Sequence, residues 1–173
     1  MKSQIKPPEE AKQRAVGMVQ DEEVLRIFVD ASELNYQGIF GQGACFVGQG
    51  EVITKCKKHY NLLMKKQNVY AELAAIGFAL EQLLAMHKQG CAIKPEILIY
   101  SDIPLVDYLN GTKEITKNKS INIIAKKIWD LKQEFEDKLP SINLQIKNMD
   151  PELKKFNPFY KAAHNEARKA INC

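Results

Sequence analysis

The sequence predicts a mixed α/β domain: a five-stranded sheet, part antiparallel and part parallel, with helices on both faces. Three observations carry this. Short β-rich runs joined by glycine turns come first, in the order of a meander. A long segment of helical period follows. After it strands and helices alternate, which favours parallel pairing with helices as crossovers.

The elements follow in chain order. Residues 1–23 are polar, and Pro7-Pro8 before Glu9-Glu10 supplies the proline and first-turn acids of a helix start. Residues 9–20 are therefore read as a short helix. It has too few apolar residues for its own core, so 1–23 is expected to be an appendage to a domain over 24–173. Val24-Leu25-Arg26-Ile27-Phe28-Val29-Asp30 is a short apolar run and reads as a buried strand. Gly38, Gly41 and Gly43 read as the turn after it. Residues 44–47 and 51–56 read as a second and third strand, joined through Gly48-Gln49-Gly50.

From Tyr70 to about His87 the period becomes helical, with Leu73, Ile76, Leu80, Leu83 and Leu84 on one face. Gly77 on that face is read as room for a close neighbour, and Gly90 as the stop. Residues 95–100 form a fourth strand that ends at Ser101-Asp102. A short helix is expected over 104–109, closed by Asn110-Gly111, then a lysine-rich loop over 112–120. Residues 121–139 form an amphipathic helix carrying Ile124, Ile128, Leu131 and Phe135, ended by Pro140. A fifth strand over 142–147 and a last helix over 158–171 complete the chain.

Composition narrows the function classes. A chain of 173 residues, 45% of them hydrophobic, buries a core without covalent staples. The four cysteines are scattered, with neither a C-x-x-C pair nor zinc-like spacing to histidine, so reduced structural thiols are expected. A net charge of +4 permits a polyanionic partner without demanding one. The sequence shows neither a run of about 18 apolar residues nor an N-terminal apolar segment. A cytoplasmic protein that spans no membrane is the expectation, and a monomer.

Three acids stand in places that attract notice. Asp30 closes the apolar strand I-F-V-D, and Asp102 closes I-L-I-Y-S-D. Glu72 opens the long helix in Y-A-E-L-A-A. Each has a plain reading, as a turn residue, a cap or a partner of the helix dipole. As a set they can converge, because strand ends in α/β sheets are where ligands bind. Packed carboxylates repel unless cations neutralise them, and hard divalent ions such as Mg²⁺ or Mn²⁺ suit oxygen donors.

In these motifs the sequence resembles ribonuclease H. The matching pieces are I-F-V-D-A-S at 27–32, N-V-Y-A-E-L-A-A at 68–75 and I-Y-S-D-I-P-L-V at 99–106. The last helix of that family reads roughly A-D-x-L-A-R-x-A, and residues 163–170 here read A-H-N-E-A-R-K-A. His164 then falls on the family's fourth acidic metal ligand. A second register, through Asn165-Glu166, puts Lys169 there and leaves no ligand. The first matches more flanking positions. Neutral imidazole serves Mn²⁺ better than Mg²⁺.

The resemblance implies a ribonuclease H-like fold over 24–171 and a two-metal endonuclease that cuts the RNA strand of RNA–DNA hybrids. Asp30, Glu72, Asp102 and His164 are the implied catalytic and metal-binding residues, with two Mg²⁺ or Mn²⁺ ions per site. Ser32, Gln67 and Asn68 are the implied substrate contacts. One departure stands out. Family members often carry a histidine between the last strand and last helix, but residues 148–161 contain none. Asp150, Glu152, Lys154, Lys155 and Lys161 are the charged candidates there. Lys113, Lys117, Lys119, Lys126 and Lys127 make a short basic stretch in place of a helical handle. A catalytically weak or inactive module that binds nucleic acid or a protein is the second reading.

Overall fold

Strand β1 (Val24–Glu33) lies at the centre of the sheet because it is apolar on both faces. Ile27, Phe28 and Val29 are all fully buried. The computed structural model describes residues 6–104, 109 and 116–172. β1 pairs antiparallel with β2 (Ile39–Gly48), which pairs antiparallel with β3 (Glu51–Tyr60). On its other side β1 pairs in parallel with β4 (Glu96–Ser101), and β4 in parallel with β5 (Asn143–Asn148). The sheet is mixed and five-stranded, in the order β3-β2-β1-β4-β5. Helices cover both faces, as the sequence predicts.

One face carries the larger core. Helices α2 (Asn68–Lys88) and α3 (Lys119–Lys138) lay Leu73, Ile76, Leu80, Leu83, Ile128 and Phe135 on Ile27, Val29, Phe46, Ile97 and Ile99. By length and composition α2 could cross a membrane, but its apolar residues are this core. Gly77 is not the close-approach point the sequence reading gave it. A Cβ there would meet only Ile128 Cγ1, at an ordinary 3.8 Å.

The opposite face is built from alternate residues of the same strands: Phe28, Cys45 and Val47, with Met149, Phe159 and Ala163. Helix α5 (Pro158–Asn172) lies across β1 and β2, and α1 (Glu9–Gln20) packs beside it through Ala15, Met18 and Val19. Gly41 and Gly43 are not turn residues but lie inside β2. A Cβ on Gly41 would sit 1.8 Å from Ala167 O, and one on Gly43 2.0 Å from Ala163 O. The glycines are there so that the α5 backbone can rest on the strand. The pattern G-x-G reads as a turn only when no neighbour is known.

Other boundaries moved. β2 and β3 are longer than the sequence suggests, and a short helix α4 (Pro151–Lys154) fills part of the expected loop. Gly90 ends the long helix with φ +75°, as expected. The short helix expected over 104–109, the Asn110-Gly111 stop and Lys113 lie outside the described residues, apart from Pro104 and Leu109.

Candidate active site

Parallel register brings two acids level. Phe28 and Tyr100 are paired across β1 and β4, and their rings stack at 5.3 Å. Asp30 follows two residues later within β1 and points to the α5 side of the sheet, while Asp102 follows two residues later just past the end of β4. Glu72 reaches the same end from α2. It is the fifth residue of that helix, in the second turn, so the dipole reading of a first-turn acid does not apply to it. A backbone hydrogen bond links it to Ala31, beside Asp30.

The three carboxylates share one field. Burial, then the charges of Asp30 and Asp102, push the Glu72 pKa up to about 8. Its Oε2 is buried without a hydrogen-bond partner. Asp30, only 4% exposed, also has a raised pKa, because burial outweighs the hydrogen bonds from His164 and Tyr160.

The C-terminal segment faces these acids with three groups. His164 Nδ1 lies 2.7 Å from Asp30 Oδ2. With Asp30 ionised, Nδ1–H is the donor, and a neutral ring then carries its lone pair on Nε2. Tyr160 Oη donates to Asp30 Oδ1 at 2.9 Å, so both oxygens of Asp30 are engaged. Burial and the neighbouring carboxylates raise the Tyr160 pKa. Lys154 Nζ lies 2.5 Å from Asp102 Oδ2 and 4.9 Å from the centre of the Tyr160 ring. Lys169, the position that the alternative register would put at the site, is instead exposed and pairs with Glu166.

Asn157 holds this segment together. Its amide donates to Leu153 O at the end of α4, and its oxygen accepts from Phe159 N and Tyr160 N at the start of α5. It is buried, at 7% exposure. Arg14 of α1 adds a hydrogen bond to Lys155 O. Asp150 caps α4 rather than pointing its charge at the acids. The sequence reading missed Tyr160, although its spacing of four from His164 puts both on one helical face. Asn157 gave no sequence signal beyond being a polar residue before Pro158.

A cleft of about 510 Å³ opens beside the acids. Ser32, Tyr36, Asn68, Glu72 and Asp102 line it. Gln67, the residue before α2, is not among its lining residues. Tyr36 was not foreseen. It is 64% exposed and stands in a left-handed turn, φ 57°, held by the Glu33 carboxylate, which accepts from Gly38 N and Lys66 N. A second hollow is lined by Lys154, Phe156, Tyr160 and Lys161, and shares Lys154 with the Asp102–Lys154 bridge. Of the expected basic stretch, Lys126 pairs with Asp130 and Lys127 with Glu81.

The donor set fits a hard divalent cation. Three carboxylates gather at one end of the sheet, near enough to act on one another's charge, and one buried oxygen has no partner. As they stand, no three His, Cys, Asp or Glu side chains among the described residues are close enough to hold an ion together. Side chains would have to close on it, starting with the Asp102–Lys154 pair.

No protein-family model matches the sequence, and no curated protein does. Solved structures match its fold. The RNase H1 of the halophilic archaeon Halobacterium salinarum is similar with a TM-score of 0.59 and 18% identity, over 86% of this chain and 98% of that one. LC11-RNase H1, isolated from compost by a metagenomic approach, gives 0.62 and 20%, over 87% and 96%. The same protein in complex with an RNA/DNA hybrid gives 0.60 and 20%, over 85% and 99%. These identities speak for architecture alone: the chain has the ribonuclease H fold.

Proposed function

We propose that the chain is a divalent-metal-dependent endonuclease that cuts the RNA strand of RNA–DNA hybrids. One observation carries this reading. Asp30, Glu72 and Asp102 come from three separate elements to one end of the sheet, and Glu72 is left with a partnerless buried oxygen and a pKa of about 8. Carboxylates gathered at such a cost call for a cation.

Asp30, Glu72, Asp102 and His164 would hold Mg²⁺ or Mn²⁺. The chemistry such ions supply is activation of a water and stabilisation of the leaving 3′-oxygen in an in-line displacement. The chain does the positioning. Tyr160 and His164 fix both oxygens of Asp30. Ser32 and Asn68 line the cleft beside Glu72 and offer hydrogen bonds to ribose 2′-hydroxyls, the feature that separates RNA from DNA. Lys161, in the second hollow, offers a charge to phosphate.

A second reading has its own observation. Both Asp30 oxygens are engaged and Asp102 is paired with Lys154, so the site is internally neutralised in part. That arrangement also suits a module that binds hybrid and does not cut it.

The test is cleavage of a labelled RNA–DNA hybrid in Mg²⁺ and in Mn²⁺. The wild type is expected to cut, better in Mn²⁺, and Asp30→Asn to lose about a thousandfold or more. His164→Ala should raise the Mn²⁺ concentration needed by roughly tenfold. Hybrid binding without cleavage in either metal would establish the binding module instead. Neither binding nor cleavage would remove both readings.

A further inference from the structure

We propose that Lys154 is a cation tethered to the carboxylate site, seated on Asp102, which a divalent ion must displace in order to bind. This rests on the metal-site reading above and adds to it a residue that sets metal affinity.

The geometry is specific. Lys154 Nζ is 2.5 Å from Asp102 Oδ2 and lies over the ring of Tyr160, which is itself bonded to Asp30. Its charge is felt at Asp30 and at Glu72 as well. One ammonium, in contact with Asp102, therefore acts on the charge of all three acids. Its backbone is anchored rather than free: Asp150 caps the start of α4, Asn157 ties Leu153, and Arg14 ties Lys155. The side chain is 39% exposed, so it has an open way out toward solvent.

A single ammonium cannot balance three carboxylates, and Glu72 Oε2 is still without a partner. The site thus still favours a cation, but the Asp102 oxygen that a cation needs is taken. Lysine suits this role because its head is a point charge on a flexible stem, without the fixed fork of arginine. Two consequences have opposite sign. Lys154 lets the acids sit together when no ion is present, and it weakens the ion's binding when one arrives. A purely structural lysine would do only the first.

The experiment is calorimetric titration of the metal-free full-length chain with MnCl₂ alone, with thermal unfolding in chelator alongside. Lys154→Gln is expected to bind Mn²⁺ about tenfold tighter, since a unit charge roughly 6 Å from a divalent ion carries about that effect in water-like screening. Its Tm without metal should fall. Lys155→Gln, the adjacent exposed lysine, should change neither. An affinity in Lys154→Gln equal to or weaker than wild type overturns the tethered cation and leaves the nuclease reading standing. An absence of Mn²⁺ binding in both proteins overturns the two together. A wild-type measurement covers the case of a variant that does not fold. In a lysine-selective NMR spectrum the Lys154 side-chain signal should move on adding Mg²⁺ while that of Lys155 does not, and a static Lys154 signal overturns the proposal.

Discussion

The two faces of the sheet are packed by opposite means. On the α2 and α3 face, large side chains interdigitate: Leu73, Ile76, Leu80, Leu83, Ile128 and Phe135 fill the space between backbones. On the α5 face the helix comes down on glycine, with Ala163 and Ala167 carbonyls over Gly43 and Gly41. The first face keeps helix and sheet apart and derives its stability from buried area. The second draws them together, and there Asp30 meets Tyr160 and His164. The large-residue core and the contacts of Asp30 are thus drawn from different sides of the same strand, through Ile27 and Val29 on one and Phe28 and Asp30 on the other.

The same substitution on the two faces gives the strongest test of this contrast. Gly43→Ala puts a methyl group 2.0 Å from a backbone oxygen, and neither partner is a side chain that can turn away. It should cost about 3 kcal/mol in urea unfolding and detach His164 from Asp30. Unchanged stability would mean that α5 is free to lift. Next in size is Glu72→Gln. The Glu72 pKa of about 8 stands above its ordinary 4.5, so the folded state holds a proton that the unfolded state has lost between those pH values. Stability contributed by this group therefore falls as pH rises from about 4.5 to about 8. Glu72→Gln removes that loss. It should stabilise the metal-free protein by roughly 2 kcal/mol at pH 8 and hardly at pH 4.5. Denaturant unfolding in chelator at the two pH values checks this, and a gain of equal size at both would deny the buried charge its role. The smallest effect is Gly77→Ala on the large-residue face. A methyl there meets Ile128 at 3.8 Å, so the variant should gain about 0.5–1 kcal/mol from helix propensity, read as a higher Tm. A loss would mean that this face too is packed backbone to backbone.

Much of the fold was legible because its signals are local. Strand runs such as Ile27-Phe28-Val29, the helical period from Leu73 to Leu84, and Gly90 as a stop each depend on neighbours in sequence. Gly41 and Gly43 were misread because their reason lies in a helix about 120 residues away, and no local rule carries that. The acids could be picked out by their place at strand ends, and parallel register then explains why Asp30 and Asp102 fall level. The groups that answer them were harder to see. Lys154 needed the short helix α4 and its Asn157 anchor to reach Asp102, and Tyr160 needed α5 to be seated before its hydroxyl had an acceptor.

The glycine seam has a further consequence for how finely this site can be adjusted. A contact made of side chains absorbs small errors by choosing other rotamers. A contact of carbonyl on Cα has no rotamers to choose. The distance from α5 to β2, and so to its neighbour β1, is therefore held by backbone, and the reach of the residue at 164 is a length that side-chain choice can vary. Imidazole spans that distance to Asp30 at 2.7 Å. A shorter side chain would leave a gap that the helix cannot close by sinking further, so in this chain the choice of residue at 164 is a choice of gap width.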